Sequence, residues 1–298
     1  MGKGQTAKGV ELMVAANVFF CLMSALVKYA SNIDSYKTTL FRFVVGLGLL
    51  GTAALFGKIK LKFVHGHFLF FRGLFGSIAV FIYFLSITKL GIAKATVLIC
   101  SYPIFASIFS AIFLKEKMGI LKLVAILMAF VGIYLITMDD SIGSSFLAVL
   151  GKYELITILG AVLSGIAVVF VKKLHDTDSS YAIFFSQCII GLWLVIVPAS
   201  ATQCVIGYLG AVMLVCIGVT AAVGQLLMTE GYRHVTVTTG SLLAMLVPVL
   251  NYFVGVIIFN EVISLRSIIG AAIVIGSCAV VLTANDQSRG IVNTSKGI

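Results

Sequence analysis

Residues 85–117 read LSITKLGIAKATVLICSYPIFASIFSAIFLKEK, and residues 228–262 read MTEGYRHVTVTTGSLLAMLVPVLNYFVGVIIFNEV. With an offset of 145 positions, Pro103 of the first stretch aligns with Pro248 of the second. Both prolines lie near the middle of an apolar run. Self-similarity over such a length is typical of a chain built from repeated structural units.

A glutamate closes each copy at the same offset, because Glu116 aligns with Glu261. Two aligned pairs with one offset indicate a duplicated unit rather than a chance match. We therefore divide the chain into an N-terminal repeat, residues 1–140, and a C-terminal repeat, residues 141–298.

The composition indicates a membrane protein. Of the 298 residues, 60% are hydrophobic and 11% are charged, whereas a soluble domain carries roughly 25% charged residues. A soluble globule of this size cannot bury so much apolar surface, so we expect the lipid bilayer to solvate it. The net charge is +10, but the basic residues are scattered between apolar runs. Nucleic-acid binding requires a clustered basic face, so we expect no nucleic-acid partner.

Ten runs are long enough to cross a bilayer as helices, which takes about 20 apolar residues each. Lipid offers no hydrogen-bond partners to the backbone, and this favours helices. The sequence thus predicts an all-α membrane protein with ten transmembrane helices. The predicted spans are approximately 10–30, 36–56, 68–87, 93–114, 119–138, 153–171, 181–200, 206–230, 236–259 and 265–284.

The distribution of lysine and arginine predicts the orientation. With the N-terminus in the cytoplasm, 14 of the 21 basic residues fall on the cytoplasmic side, as the positive-inside rule requires. Both termini are then expected to be cytoplasmic. Five spans per repeat is an odd number, so the second repeat enters the membrane from the opposite side. Two inverted five-helix repeats are typical of carriers with a binding site near the midplane.

Several short motifs carry a family resemblance. Arg42 in FRFVVG, the RGLFG run at 72–76, Tyr83 and the MTEGYRH run at 228–234 resemble motifs of the EamA family in the drug/metabolite transporter superfamily. Gly231 stands where that family usually has alanine. The resemblance covers residues 10–284. It implies a ten-helix transporter of small metabolites, not an enzyme, and it leaves the substrate open.

Ionisable side chains inside the spans are the first functional candidates, because burying a charge in lipid is costly. Arg42 lies about six residues into the second span, and its repeat partner is Gln187. It either meets an anionic group of the substrate or snorkels or braces a neighbouring helix. For Arg72, nearer the cytoplasmic end of its span, we expect snorkelling or a structural role.

Glu230 is the deepest acid and a candidate for proton coupling, because burial raises the pKa of a carboxyl group. It would alternatively pair with Arg72 or Arg233. Glu116 and Glu261 end matching spans, and their symmetry favours an architectural role.

The remaining candidates are polar or aromatic residues on the faces expected to line a central cavity, and the two prolines. Proline frees a carbonyl and bends a helix, so matched prolines predict hinges at Pro103 and Pro248. The predicted substrate-binding residues are Asn17, Phe20, Ser24, Arg42, Tyr83, Tyr102, Gln187, Gln225 and Tyr252.

We conclude from the sequence that the protein is a secondary-active transporter of a small amphipathic metabolite, working by alternating access. An amino acid, a nucleoside-like compound such as S-adenosylmethionine, and a vitamin all fit the candidate cavity. Proton coupling and facilitative exchange both stay open. The main alternative is a channel or a non-transporting membrane scaffold, followed by a membrane enzyme acting on a lipid-linked substrate.

We expect no cofactor and no metal, because no phosphate-binding loop or metalloenzyme motif occurs in the sequence. The expected partners are the small-molecule substrate and the lipid bilayer. A monomer and a homodimer are both compatible with the sequence. The expected location is a bacterial inner membrane.

Overall fold

A computed structural model describes residues 3–30, 33–90, 92–116, 119–137, 151–202, 206–260 and 264–294. These residues form twelve α-helices: α1 Lys3–Tyr29, α2 Ser35–Leu55, α3 Gly66–Leu90, α4 Ile92–Ile99, α5 Tyr102–Phe113, α6 Ile120–Thr137, α7 Lys152–Leu174, α8 Ser180–Ala201, α9 Tyr208–His234, α10 Val237–Ala244, α11 Leu246–Phe259 and α12 Leu265–Thr294.

Ten segments of the described chain are long and apolar enough to cross a membrane. Eight are single helices, while α4 with α5 forms the fourth span and α10 with α11 forms the ninth. Large apolar side chains face outward: Ile112 is 63% exposed, Trp193 75% and Ile257 75%. Asn17, by contrast, is only 1% exposed. Apolar residues outside and polar residues inside are what a lipid solvent selects. The predicted ten-span fold is confirmed.

The face of the bundle on which α1 begins is called the N-terminal face below, and the other is the distal face. Because spans alternate in direction, α5, α7 and α9 end at the N-terminal face. α8 and α10 begin there.

The two repeats share local capping chemistry. The Asp34 carboxylate accepts a hydrogen bond from the Tyr36 backbone N–H at 2.8 Å and caps α2. At the position 145 residues later, the Ser179 hydroxyl accepts one from the Ala182 N–H at 3.2 Å and caps α8. Side-chain oxygens at this position satisfy free N–H groups of the first helical turn. The second and seventh spans therefore start in the same way.

The ends of the fourth and ninth spans also match. Lys115 and Asn260 both adopt a left-handed backbone conformation, with φ of 53°, and they are 145 positions apart. Such a residue commonly terminates a helix. The glutamates predicted to close the two copies follow directly. Glu116 is described, whereas Glu261 lies outside the described residues.

The fourth and ninth spans are each broken into two helices just before Pro103 and Pro248, whereas the seventh span keeps Pro198 within the continuous helix α8. The fourth span breaks at Cys100 and Ser101, and the ninth breaks at Met245. Proline has no N–H to donate to the carbonyl four residues earlier. The chain turns tightly at each break: the Ser101 N–H donates to the Leu98 carbonyl at 3.2 Å, and the Met245 N–H donates to the Leu242 carbonyl at 3.0 Å. The discontinuities are therefore compact turns at matched positions.

The main helix contacts between the repeats recur when both helices are replaced by their equivalents in the other repeat. The first span packs on the eighth through α1 and α9, and the sixth packs on the third through α7 and α3. The pairs α3–α8 and α2–α9 are related in the same way. The α2–α8 and α6–α12 pairs each join equivalent spans of the two repeats. This pattern fits two inverted five-helix repeats. The exact boundary at residues 140 and 141 stays a prediction.

The contact of α6 with α12 depends on two glycines. A Cβ atom added to Gly132 would lie 2.6 Å from the Gly270 carbonyl oxygen, and one added to Gly270 would lie 2.5 Å from the Gly132 carbonyl oxygen. Small residues let transmembrane helices approach closely. The backbones of the fifth and tenth spans therefore touch directly.

We predict that Gly270→Leu lowers the thermal unfolding midpoint of the purified protein. The leucine side chain cannot enter the α6–α12 contact without separating the helices, and overpacking of this kind costs about 1–3 kcal/mol. Gly48→Leu is the matched control, because a Cβ at Gly48 meets nothing within 4 Å. Equal midpoints for the two variants would contradict the close contact.

Candidate functional site

The broken ninth span is held by a polar side chain of the first span. The Asn17 side-chain amide donates to the Leu243 carbonyl at 2.8 Å. Leu243 lies in the last turn of α10, next to the break at Met245. A buried carbonyl near a break needs such a partner. Asn17, predicted to bind substrate, is thus placed as a support of the discontinuity.

Arg42 reaches from α2 across to α9. Its Nη2 atom donates to Oε1 of Gln225 at 3.3 Å. The Gln225 backbone carbonyl accepts from the Thr229 hydroxyl at 2.7 Å, and Gln225 is only 4% exposed. Two predicted binding residues, one from each repeat, therefore meet inside the bundle.

Arg72 makes a parallel contact between α3 and α8. Its Nη2 atom donates to Oε1 of Gln187 at 3.1 Å, and the Gln187 carbonyl accepts from the Ser77 hydroxyl at 3.1 Å. Arg72 is 3% exposed, so its guanidinium does not snorkel to the membrane surface, which was one of the two expected roles. A Cβ at Gly76 would collide with Nη1 of Arg72. The guanidinium thus lies along its own helix, one turn deeper into the bundle.

The two arginine contacts belong to one electrostatic environment. Cys188 follows Gln187 on α8, and its thiol lies within electrostatic range of both Arg42 and Arg72. Nε of Arg42, Nε and Nη1 of Arg72 and Nε2 of Gln225 are buried without a hydrogen-bond partner. We call Arg42, Arg72, Gln187 and Gln225 the arginine–glutamine cluster. It combines fixed positive charge with free donors.

Aromatic residues lie beside this cluster. Tyr232 on α9 is fully buried and lies within electrostatic range of Arg72. Its hydroxyl is 3.1 Å from the Ser241 hydroxyl, and Tyr102 lies next to it. Of the aromatic residues predicted to bind substrate, Tyr102 therefore lies on this side, beside Tyr232, which the sequence did not single out.

Other predicted binding residues lie elsewhere in the bundle. The Tyr83 hydroxyl is 3.3 Å from the Thr96 hydroxyl, across the third and fourth spans. Phe20 packs against Gly224. The Ser24 hydroxyl accepts from the Asn251 amide at 3.4 Å, nearer the distal face.

Tyr252 is the most remote of the predicted binding residues. Its hydroxyl accepts from the Ser264 N–H at 3.3 Å, where the chain enters α12 at the distal face. This contact ties Tyr252 to a loop rather than to the arginine–glutamine cluster. A role in substrate binding stays a prediction for all nine residues.

A second group of polar contacts fastens the N-terminal face. Both carboxylate oxygens of Glu116 accept from the Val237 N–H, at 3.2 and 3.0 Å. Val237 is the first residue of α10, so a glutamate of one repeat caps a helix of the other. A carboxylate is favoured at a helix N-terminus by the free N–H groups and the helix dipole. The architectural role expected of Glu116 has this physical basis.

Lys172 completes the fastening from the end of α7. Its ammonium group donates to the carbonyls of Tyr232 at 2.8 Å, Arg233 at 3.2 Å and Val235 at 2.8 Å. These carbonyls end α9, where no further helical N–H groups follow. We call Glu116 and Lys172 the N-face latch. It joins the ends of the fourth and sixth spans to the connection between the eighth and ninth.

A groove of about 300 Å³ lies beside the N-face latch rather than at the arginine–glutamine cluster. Its walls come from the ends of α5 and α7. The lining residues are Phe113, Leu114, Lys115, Glu116, Lys172, Lys173 and Asp176.

Glu230 lies near the latch in a network of its own. Its carboxylate accepts a short hydrogen bond from the Ser180 hydroxyl. It also lies 3.6 Å from Nη1 of Arg233 and 3.3 Å from Nε2 of His234. The alternative that Glu230 pairs with Arg233 is therefore what the structure shows. A role in proton coupling stays a prediction.

His175 is a half-buried titratable group in the loop between α7 and α8. Its Nε2 atom lies 2.6 Å from the Thr229 carbonyl oxygen. Burial lowers the pKa of His175 to about 4, against the smaller opposing effects of this hydrogen bond and of Glu230. The imidazole is therefore neutral at physiological pH and donates Nε2–H to Thr229.

Sequence reasoning missed the latch and underrated Arg72. The signal for Glu116 was its place in the repeat, but its partner is a backbone N–H, which carries no residue-specific pattern. Lys172 stood at a span end, where lysines are common. Arg72 was treated as close to a span end, whereas α3 begins at Gly66 and places it in the second turn.

Comparison with known proteins identifies the same family as the sequence motifs. A sequence profile of the EamA-like transporter family matches residues 7–138 and, separately, residues 151–283. The pseudopaline exporter CntI of Pseudomonas aeruginosa strain UCBPP-PA14 is 26% identical over 273 residues, which cover 91% of this chain and 94% of that protein. Solute carrier family 35 member G1 of Mus musculus is 27% identical over 237 residues, which cover 76% of this chain and 64% of that protein.

A solved crystal structure supports the fold. It superposes with a TM-score of 0.81 over 94% of this chain and 98% of that chain, at 15% sequence identity. At this identity the likeness concerns the arrangement of helices alone.

We predict that His175 makes the free energy of unfolding fall as the pH is lowered from about 6.5 to about 4. In this window the unfolded chain, with an ordinary pKa of 6.5, binds a proton that the folded protein with a pKa of about 4 does not bind. Below about pH 4 the contribution no longer changes. Thermal unfolding midpoints measured across this range check the prediction.

The His175→Gln variant isolates this contribution, because it should show a shallower decline than the unmodified protein. His67→Gln is the control, since His67 is exposed. Parallel curves for the unmodified protein and His175→Gln would refute the assignment.

Proposed function

Because the chain belongs to the EamA-like transporter family, we propose that it is a secondary-active carrier of a small amphipathic organic metabolite. The observation that supports this most directly is the arginine–glutamine cluster. Its polar groups are buried between the two repeats and include donors without partners. Ionisable groups in the interior of a membrane protein are costly and mark pathways for substrates or ions.

Alternating access is the mechanism that we propose. Carriers of inverted repeats expose one site to either side by moving one half against the other. The N-face latch would close one side: Glu116 joins the two repeats, and Lys172 ties the end of the sixth span to the end of the eighth within the C-terminal repeat. The breaks before Pro103 and Pro248 would act as the hinges that let the distal and N-terminal halves of the spans move separately.

The substrate would place an acidic group, a carboxylate or a phosphate, against Arg42. Guanidinium groups bind such anions with paired hydrogen bonds. Tyr102 and Tyr232 would contact its apolar portion. An amino acid, a nucleoside-like compound such as S-adenosylmethionine and a vitamin have this amphipathic character. Either Glu230 couples transport to protons or the carrier works by facilitative exchange.

We further propose that the N-terminal face is cytoplasmic and that the membrane is a bacterial inner membrane. The distribution of lysine and arginine supports this orientation. The export named for the Pseudomonas relative is the direction that we assign to this chain.

Uptake into proteoliposomes, screened over these compound classes with and without a pH gradient, tests the proposal. Saturable uptake that competes with unlabelled compound is the expected result, and its dependence on the gradient decides between coupling and exchange. Single-channel conductance without saturable uptake would point to a channel. If neither conductance nor uptake is observed, the result would favour a non-transporting scaffold.

We predict that Arg42→Gln reduces the kcat/KM for the transported anion by about tenfold or more. A hydrogen bond to a charged group contributes about 1.5–3 kcal/mol, and glutamine retains the donor but not the charge. Lys58→Gln removes the same charge from an exposed loop position and serves as the control. Unchanged transport by Arg42→Gln would remove Arg42 from the site.

We predict that Lys172→Met opens the N-terminal face. Loss of the three carbonyl contacts of Lys172 should favour the open state by at least about 1.4 kcal/mol, which is a factor of about ten. Maleimide labelling of Cys100, at the break of the fourth span, should accelerate accordingly. Peptide mass spectrometry resolves it from Cys216, which is exposed on the surface of the bundle.

Lys173→Met is the control for this experiment. The Lys173 side chain is 55% exposed and pairs only with Asp176 in the described ion pairs. Equal Cys100 labelling rates in the two variants would show that the latch does not control this face.

A further inference from the structure

We infer that Arg72 is a second anion-binding residue of the transport site, so that the carried compound bears two separate acidic groups. The inference deepens the proposed function and depends on it. The carrier function proposed above uses one cation, Arg42, to bind an acidic group of the substrate.

The charge of Arg72 is not neutralised inside the protein. Among the ion pairs of described residues, none joins Arg42 or Arg72 to a carboxylate. The hydrogen-bond partner of each guanidinium is a glutamine side-chain carbonyl, which orients the guanidinium without cancelling its charge. A buried charge without a counterion is costly. Two such charges in one environment would be satisfied by a ligand that carries two negative charges.

The free donors have the chemistry that recognises carboxylates. A guanidinium has five N–H donors in a planar fork. In Arg72, Nε and Nη1 are buried without partners, while Nη2 is held by Gln187. In Arg42, Nε is free, and the adjacent Gln225 amide contributes one more free donor. Because each arginine is fixed by its own glutamine, the two positions suit two distinct acidic groups.

The second repeat provides an internal control for a purely structural role. The position equivalent to Arg72 is Ile217, 145 residues later. Ile217 is 1% exposed and packs in an apolar cluster with Ala30, Ile33 and Leu214. An apolar side chain therefore packs well at this position of the repeat. Architecture alone does not require the charge of Arg72.

Gly76 keeps the guanidinium of Arg72 in place. A Cβ at this position would collide with Nη1 of Arg72 and lie 3.2 Å from Nε2 of Gln187. With a rise of 1.5 Å per residue, Gly76 lies about 15 Å along α3 from its first residue. This distance is about half of a hydrocarbon core of roughly 30 Å. The guanidinium is thereby held about 15 Å along α3 from its start rather than at the end of the span.

The test measures thermal stabilisation of the purified, full-length protein by compounds of one shape and different charge. Glutarate, glutaramate and glutaramide carry two, one and no negative charges. N-benzoylglutamate, N-benzoylglutamine and the corresponding diamide repeat the series with an aromatic ring. Phenyl phosphate places both charges on a single group. All compounds are compared at equal ionic strength, because salt screens charge interactions.

The expected result is strongest stabilisation by the dicarboxylate of at least one series. Arg72→Gln and Arg42→Gln should each raise its apparent Kd by about tenfold or more, while binding of the monoanion changes less in Arg72→Gln. Arg72→Lys should recover part of the preference, since it restores the charge but not the fork. Lys58→Gln should behave like the unmodified protein. A merely structural role for Arg72 would alter stability without changing the preference for two charges.

Three results would overturn the inference: equal stabilisation by monoanion and dianion, a preference unchanged in Arg72→Gln, or no stabilisation by either series. Stabilisation by phenyl phosphate alone would also overturn it in favour of one doubly charged group. If Arg72→Gln does not fold, the comparison of dianion, monoanion and neutral compound on the unmodified protein and on Arg72→Lys still tests the inference. Saturable uptake of a neutral or singly charged compound would refute this inference while leaving the proposed function intact.

Discussion

Backbone hydrogen bonding in lipid is the constraint on which this structure depends. An unpaired carbonyl or N–H group in a bilayer is costly, yet two of the ten spans are interrupted before a proline. The protein satisfies these groups with side chains from other spans. Asn17 binds a carbonyl beside the break of the ninth span. Glu116 and Lys172 bind the N–H group and carbonyls where α9 and α10 end and begin. The interruption of the ninth span is therefore held by a contact between the repeats, and the groups between α9 and α10 are satisfied by side chains of the fourth and sixth spans.

The same constraint explains why polar contacts divide into two groups with different chemistry. At the N-face latch, charged side chains meet backbone groups, and each charge has partners that suit it. In the arginine–glutamine cluster, the partners of the charges are neutral amides, and donors remain free. The latch is thus electrostatically complete, whereas the cluster is not. A carrier needs both, because one side must close firmly while the binding site must retain affinity for a ligand.

Much of the fold could be read from the sequence, because lipid imposes apolar runs of a fixed length and duplication imposes a fixed offset. The ten spans and the family were predicted correctly. The helix breaks were located only approximately, since proline marks the carbonyl that it frees but not the residue at which the helix turns. Within the site, Arg42, Gln187 and Gln225 were named, but their pairing was not. Which arginine meets which glutamine depends on helix rotation and tilt, and neither leaves a periodic signal. For Glu230 the sequence offered Arg233, three residues later on the same helix, but not the Ser180 hydroxyl, which α8 supplies.

The pairing of equivalent spans has an evolutionary consequence. The second span packs on the seventh and the fifth packs on the tenth, so both contacts join corresponding elements of the two repeats. Contacts of this kind are isologous, as in a symmetric dimer. A chain of half this length, inserted into the membrane in both directions, would form the same two interfaces as an antiparallel homodimer. Fusion of two such genes would then permit what a dimer of identical subunits cannot have: an arginine on one side of the axis and an isoleucine on the other.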